Sequence, residues 1–430
     1  MNKYSWLVSL APLVVVACGS NNNPAQTTLP GEAKSSLAYD STPTVSTAAQ
    51  QAVVNDLNNF GSAVFQSLAP TDQNFAVSPV SGFIALAMTS DGAQGTTADE
   101  MKAVLYPDVA LTDIQAATNQ MQRRVRGYAQ PLVQVGDAGK QVALNLANDV
   151  FVQQGLAIQQ PFLDNLMTNY DSGIELVDFK TNPDAACTQI NNWVASETNN
   201  LIPNLLPKGS LDRLTRLVLV DALYLNASWL TAFDPNKTQA QVFHGVNGDA
   251  STDFMNASNS LNYASGTGWV GVDIPYYGGS LVMTAILPDS GQFDTVKAKL
   301  NAAWFSTFDA AAQQQTVSLT LPKFTLTGST VSWKPTLQNL GMTTLFDGGT
   351  CNLNGISQNE QLYVKDVLQQ VYIAVAEKGT EAAAATAVIV GTMSIALPPP
   401  TSIVFDRPFL FFVREQGGPI LFAGQVVSLP

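Results

Sequence analysis

A chain of 430 residues, 46% of them hydrophobic, is long enough for one large core or for two or three smaller ones. Only 12% of the residues are charged, about half the usual share of ~25%, and the net charge is −13. No basic run offsets that sign, which excludes nucleic acid as a partner, since it needs clustered lysine and arginine.

The N-terminus reads as a secretion signal. Lys3 gives a positive start, residues 6–16 form an apolar stretch containing Pro12, and Ala17-Cys18 follows. That stretch is too short to span a membrane. Val15-Val16-Ala17-Cys18 resembles the lipobox of bacterial lipoproteins, whose cysteine becomes the acylated first residue of the mature chain. Residues 1–17 are therefore expected as a lipoprotein-type signal peptide and Cys18 as the lipidation site. The plainer alternative is a secretory peptide with an incidental cysteine. The expected location is the bacterial envelope or cell surface, reached across the inner membrane, or the extracellular medium. Residues 18–47 are dominated by Asn, Ser, Thr, Pro, Ala and Gly and are expected as a flexible low-complexity tether. Cys187 and Cys351 then remain, far apart in sequence, and are read as free thiols, with a single disulfide between them as the alternative.

Folded structure is expected from residue 48. Val53, Val54, Leu57, Phe60, Val64, Phe65 and Leu68 recur at helical spacing, and Pro70 ends that helix. Residues 74–77 form a short strand candidate, and Ser78-Pro79 opens a second helix. Residues 98–104, 111–128, 161–169 and 185–198 read as helices, and 141–152 as strand. The apolar run 217–224 is most easily a buried strand. Beyond Phe233 the pattern turns to β: residues 242–243, 268–275, 281–287, 316–322, 370–376, 402–405, 409–414 and 420–427 are rich in Val, Ile and Phe. Helices crowd the first half and strands the second, which predicts an α+β fold with large antiparallel sheets.

Residues 377–386 stand apart. A charged turn with Gly379 runs into Ala382, Ala383, Ala384 and Ala385, with Thr380 before them and Thr386 after. In a strand, Thr380, Ala382, Ala384 and Thr386 would share one face of small side chains. Such a segment can slide into a sheet without displacing much packed volume. Alanine is nevertheless a good helix former and a poor strand former, so the segment is uncommitted in isolation.

Enzyme chemistry leaves little trace. The single histidine, His244, is the only base that a serine or cysteine nucleophile could recruit. There is no Gly-x-Ser-x-Gly elbow, no Cys/His metal spacing, and no Walker or Rossmann glycine pattern. A carboxylate-only glycosidase stays formally open, because its two carboxylates can be far apart in sequence. No cofactor and no metal are expected.

From residue 48 to Pro430 the chain resembles the serpins, the serine protease inhibitor superfamily. Asn74-Phe75-Ala76-Val77-Ser78-Pro79-Val80-Ser81 is similar to the family's early strand and helix entry. Leu219-Val220-Asp221-Ala222-Leu223-Tyr224-Leu225-Asn226-Ala227-Ser228-Trp229 is similar to its central strand. Leu321-Pro322-Lys323-Phe324, Leu340-Gly341-Met342, Asn354-Gly355-Ile356-Ser357, Phe405-Asp406-Arg407-Pro408-Phe409-Leu410 and Leu421-Phe422-Ala423-Gly424-Gln425 follow in family order. The resemblance implies three β-sheets among eight or nine helices and an exposed reactive loop at about 377–404. It further implies inhibition by suicide: a protease cleaves the loop, and the hinge inserts into the main sheet before the acyl-enzyme is hydrolysed. The expected partner is a serine protease, or a cysteine protease, met by a monomeric inhibitor. A non-inhibitory serpin serving as a surface binding protein is the alternative.

By the same resemblance the hinge comprises Glu377, Gly379, Thr380, Ala382 to Ala385 and Thr386. The usual hinge-to-cleavage spacing puts the scissile bond at Met393-Ser394. The stretch after Met393 is longer than usual and carries Pro398-Pro399-Pro400, so Ile395-Ala396 is the second choice. An apolar Met fits an elastase-like or chymotrypsin-like pocket, and no Lys or Arg lies between Glu381 and Phe405 to suit a trypsin-like one. Ser78, Ser81, Asn191, Asp221 and Gln369 match the shutter beneath the opening of the main sheet. Asp221 stands where Asn is usual and Gln369 where His is common, a pair of changes that could compensate if the Gln amide donates to the carboxylate. Trp229 and Lys323 match the breach where insertion begins, with Lys323 paired to Glu377.

Overall fold

The structure, a computed structural model, describes residues 31–128, 142–380 and 400–430. The expectations for Cys18, Glu381, Ala382, Ala383, Ala384, Ala385, Thr386, Met393-Ser394 and Ile395-Ala396 lie outside the described residues.

Two helices make the central spine. Ser46 caps helix α1 (Thr47–Leu68) by accepting from the Ala49 N–H, and Leu57, Val64 and Phe65 on its inner face are fully buried. Helix α2 (Pro79–Ser90) is opened by the Ser78 cap with Pro at its first position, and every residue of it is buried. A helix apolar all round belongs in the interior. Gly82 marks how tightly it is held: a Cβ there would come within 2.3 Å of the Trp333 ring. The other helices are α3 (Gly95–Leu105), α4 (Leu111–Tyr128), α5 (Gln160–Tyr170), α6 (Pro183–Glu197), α7 (Phe293–Lys297), α8 (Ala302–Ala311) and α9 (Lys334–Leu340), giving nine among the described residues.

The strands form two hydrogen-bonded sheets. The eight-stranded sheet runs β1 (Glu32–Ala33), β4 (Ile174–Val177), β3 (Val142–Gln153), β5 (Leu217–Ser228), β14 (Gly379–Thr380), β13 (Val367–Ala376) and β11 (Phe324–Thr327), with β12 (Val331–Ser332) also on β13. The nine-stranded sheet contains β2 (Phe75–Val77), β6 (Gln239–Gly245), β7 (Gly248–Gly266), β8 (Trp269–Pro275), β9 (Leu281–Pro288), β10 (Gln313–Pro322), β15 (Thr401–Val404), β16 (Phe409–Glu415) and β17 (Ile420–Val426). Its two parts share β7. Strands β6, β10 and β15 build on the earlier stretch of β7, while β8 and its successors follow from the last residues, 262–266. Counted so, the three expected sheets are present in an α+β architecture.

Two sequence expectations need correction. Strand β7 was not expected, because Asn, Ser, Thr and Asp fill it. Its strand character comes from ladders on both edges rather than from intrinsic preference. The tether expected at 18–47 is not free over its described part. Glu32 and Ala33 pair with β4, the Ser35 hydroxyl donates to Asp164, and the Asp40 N–H donates to the Thr168 carbonyl. The Asn119 amide donates back to the Asp40 carbonyl, and the Tyr39 hydroxyl donates to Asn119 Oδ1. Backbone pairing and polar side chains, with Val45 packed against the core, secure a segment that has few large apolar residues.

Candidate functional site

Strand β13 ends at Ala376, turns through Glu377 and Lys378, and comes back as β14. The turn is held from both ends. The Trp229 N–H donates to the Lys378 carbonyl and the Phe233 N–H to the Glu377 carbonyl, each at 2.8 Å. The Glu377 carboxylate accepts from the Thr238 hydroxyl at 2.9 Å and pairs with Lys323 Nζ at 3.2 Å. Burial pushes that carboxyl up, but the hydrogen bonds from backbone, Thr238 and Lys323 outweigh it and hold it below the usual carboxylate range.

Gly379 has φ +151°, and a Cβ there would lie 2.0 Å from the Ala227 carbonyl oxygen, so only glycine fits. Thr380 then pairs with Val375 of β13 on one side and Ala227 of β5 on the other. Its side chain is fully buried, with Oγ1 2.7 Å from the Tyr276 hydroxyl. Tyr276 stacks on Trp229 with ring centroids 4.5 Å apart, and Trp229 Nε1 donates to the Ala376 carbonyl at 2.9 Å. The first two residues of a new strand therefore already stand between β5 and β13.

Below them the seam is closed. Strands β5 and β13 pair directly and in parallel, from Leu219 opposite Val367 to Leu223 opposite Val371. Gln369 bolts this closure: Oε1 accepts from the Ser78 N–H at 2.7 Å, while Nε2 donates to the Ser78 carbonyl at 3.0 Å and to Asp221 Oδ2 at 2.7 Å. One side chain thus ties the start of α2 to both strands of the seam. Ser81 donates to Asn148 Oδ1 on β3, and the Asn148 amide returns a bond to the Ser81 carbonyl. Asp221 is fully buried with Oδ1 lacking a hydrogen bond, and burial pushes its carboxyl up to about 7 against the bonds from Ser81 and Gln369.

The structure brings together Ser78, Ser81, Asp221 and Gln369 at the seam, and Trp229, Lys323, Glu377, Gly379 and Thr380 at its head. It does not bring Asn191 to either group. Asn191 sits on α6, where its side chain donates to the Leu206 carbonyl and accepts from the Leu206 N–H, bracing the chain after the helix. Asn148 completes the polar cluster instead. A polar residue inside the apolar stretch 141–152 was the available signal for it. Tyr276, the partner of Thr380, and Thr238, the partner of Glu377, gave no comparable signal, because only tertiary packing joins them to the hinge.

Nothing in this arrangement resembles a reaction centre. His244 is 58% exposed and pairs with Asp249 on the adjacent strand. Cys187 and Cys351 are both buried and free. Among the described residues no group of His, Cys, Asp and Glu could hold a metal ion. What the site can do is mechanical. At its head Gly379 and Thr380 stand between β5 and β13, and below them the two strands pair directly and are tied together by Gln369.

Comparison with known proteins agrees with that geometry. The family model described as serpin (serine protease inhibitor) matches residues 55–429. An uncharacterized serpin-like protein of Thermococcus kodakarensis is 32% identical, covering 100% of this chain and 99% of that protein. Plasminogen activator inhibitor 1 of Sus scrofa is 32% identical over 86% of this chain and 91% of its own length. Among solved structures, the thermophilic serpin tengpin in its native state superposes with a TM-score of 0.81 at 25% identity, covering 93% of this chain and all of that one.

Proposed function

The chain belongs to the serpin family of serine protease inhibitors, and from that premise we propose that it inhibits by acting as a suicide substrate. The target's catalytic serine attacks the Met393 carbonyl, the Met393-Ser394 peptide bond breaks, and Ser394 leaves as a free amine carrying the proton. Met393 stays esterified to the protease. The freed loop then continues β14 downward between β5 and β13, dragging the protease with it before water can cleave the ester. Inserting residues 380–393 at ~3.3 Å each moves the protease some 40 Å or more.

The observation that carries this reading is the seating of Gly379 and Thr380, which pair with both flanking strands in the intact chain. Extending that strand adds backbone bonds on two edges. At ~1 kcal/mol net apiece, about ten such bonds give a driving force on the order of 10 kcal/mol. The hinge supplies no bulky or charged side chain from Ala382 to Thr386 to stall the movement.

The proposed target is an elastase-like or chymotrypsin-like serine endopeptidase, since Met393 is apolar and the loop offers no Lys or Arg. This choice differs from what the name of the porcine relative says of that protein. The inhibitor is proposed to work as a secreted monomer held at the bacterial envelope through acylated Cys18. It is not itself an enzyme. The test is to mix it with such a protease and look for a complex that survives SDS, then weigh the released C-terminal fragment by mass spectrometry. A fragment starting at Ser394 supports the assigned bond, and one starting at Ala396 moves it. Cleavage with no complex overturns the inhibitory reading.

A further inference from the structure

Strand register fixes where two distant events take place on the same sheet. In β14, Thr380 lies opposite Ala227 of β5 in antiparallel pairing. Continued residue for residue, that pairing carries residue 393 to the level of Leu214, just past the start of β5 at Leu217. The turn there is open, with Leu214 68% exposed.

The N-terminal strand leaves at this same end. Glu32 pairs with Glu175 and Ala33 with Ile174, so the chain enters β1 from the end of β4. A Cβ on Gly31 would sit 3.2 Å from the Leu176 carbonyl oxygen, one residue short of the end of β4 at Val177. Val177 is level with Gln153 on β3, and the Gln153 N–H donates to the Arg216 carbonyl at the foot of β5. The described chain therefore enters the sheet, at Gly31, at the level of Arg216, whereas β14 pairs with Ala227 and Ser228. From residue 227 to residue 214 is about 43 Å along the strand. Across the sheet, the order β1-β4-β3-β5-β14 makes four steps, or about 19 Å. That lateral span is within the half-width of a globular protease.

We infer that the N-terminus is attached at the pole to which the trapped protease is carried. An anchor on that terminus, such as lipid on Cys18, then holds the intact reactive loop on the far side of the molecule. It receives the trapped protease against β1 and the turn 210–216. This inference rests on the proposed trapping mechanism. It adds an orientation: the inhibitor reaches outward for its target and draws it in toward its own anchor.

The test uses energy transfer from a donor dye on Lys34→Cys, in a Cys18→Ser background, to an acceptor on the protease. Lys34 is exposed and its ion pair to Glu32 is 3.6 Å long. Buried Cys187 and Cys351 stay unlabelled. Exposed Ser36, as Ser36→Cys, provides a second position should the first variant fold poorly. A protease whose nucleophilic serine is replaced by alanine docks on the uncleaved loop and should give weak transfer. The active protease, once in an SDS-stable complex, should give transfer several-fold higher. An SDS-stable complex with transfer no higher than the docked control overturns this inference alone. Failure to form any SDS-stable complex overturns the trapping mechanism and this inference with it.

Discussion

Thr380 Oγ1 and the Tyr276 hydroxyl lie 2.7 Å apart in the buried head of the eight-stranded sheet, between two strands that otherwise pair with each other below. The contact makes the hinge part of the sheet before any cleavage. Replacing Thr380 with Val keeps the shape but leaves the Tyr276 hydroxyl buried without this partner, at a cost of ~1–3 kcal/mol. The Thr380→Val variant should melt a few degrees lower when intact. Its residues 377–380 should also exchange amide hydrogens faster than those of the wild type. Unchanged protection there would mean that the hydroxyl pair does not hold the hinge.

Gly379 is a sharper probe of the same seating. Any side chain meets the Ala227 carbonyl, and the φ of +151° is strained for L residues. Gly379→Ala should expel β14 from the seam, costing ~2–4 kcal/mol of native stability. Limited proteolysis within 376–381 should accelerate in this variant. If cleavage there is no faster and the melting temperature is unchanged, the strand start is not seated as described.

Much of this was legible in the sequence, for identifiable reasons. The helix through Leu57, Phe60, Val64 and Phe65 announces itself because one face is apolar, and the strand over 217–224 because it is a short, largely apolar run. The segment after Gly379 stood out because small residues are an odd way to begin a strand, and of that segment the structure describes Thr380 alone. Strand β7 was hidden, since its edges and not its Asn- and Ser-rich composition make it a strand. Asn191 was misplaced for a related reason. Its position in the chain says that it lies on a helix over the sheet but not which way its amide points, and it points to Leu206. Tyr276 and Thr238 touch the hinge from other strands and loops, a relationship that no local pattern records.

Asp221 gives a pH prediction with a defined sign. Its folded-state pKa is raised by burial to about 7, against ~3.9 in an unfolded chain. Between those values the native state binds the extra proton, so the stabilising effect of protonation is full below pH ~4. It is lost as pH climbs toward ~7. The loss amounts to a few kcal/mol and falls on the residue that Gln369 clamps across the seam. Buried Asp56 and half-buried Asp91, raised to about 6 and about 7, tilt the curve the same way. The diagnostic is therefore a comparison of variants. Asp221→Asn, which keeps an acceptor for Gln369, should lose less melting temperature between pH 5 and pH 8 than the wild type does. Parallel curves for the two proteins would show that Asp221 does not titrate in this window.

Cleavage itself should stabilise the protein, because the seam is then filled. The latch between Gln369 and Asp221 is exchanged for a full strand with ladders to both β5 and β13. If the net gain is on the order of 10 kcal/mol, the melting temperature of loop-cleaved protein should exceed that of intact protein by roughly 10 °C or more. Thr380→Arg separates insertion from cleavage. Thr380 is fully buried with the Tyr276 hydroxyl as its hydrogen-bond partner, so a guanidinium there carries a large desolvation cost. The variant should still be cut in its loop, yet release active protease and form little or no SDS-stable complex. Its cleaved form should also gain less in melting temperature than cleaved wild type. Full inhibition by Thr380→Arg would refute the role assigned to this residue, since the inserting strand must extend from position 380, which is already buried between β5 and β13.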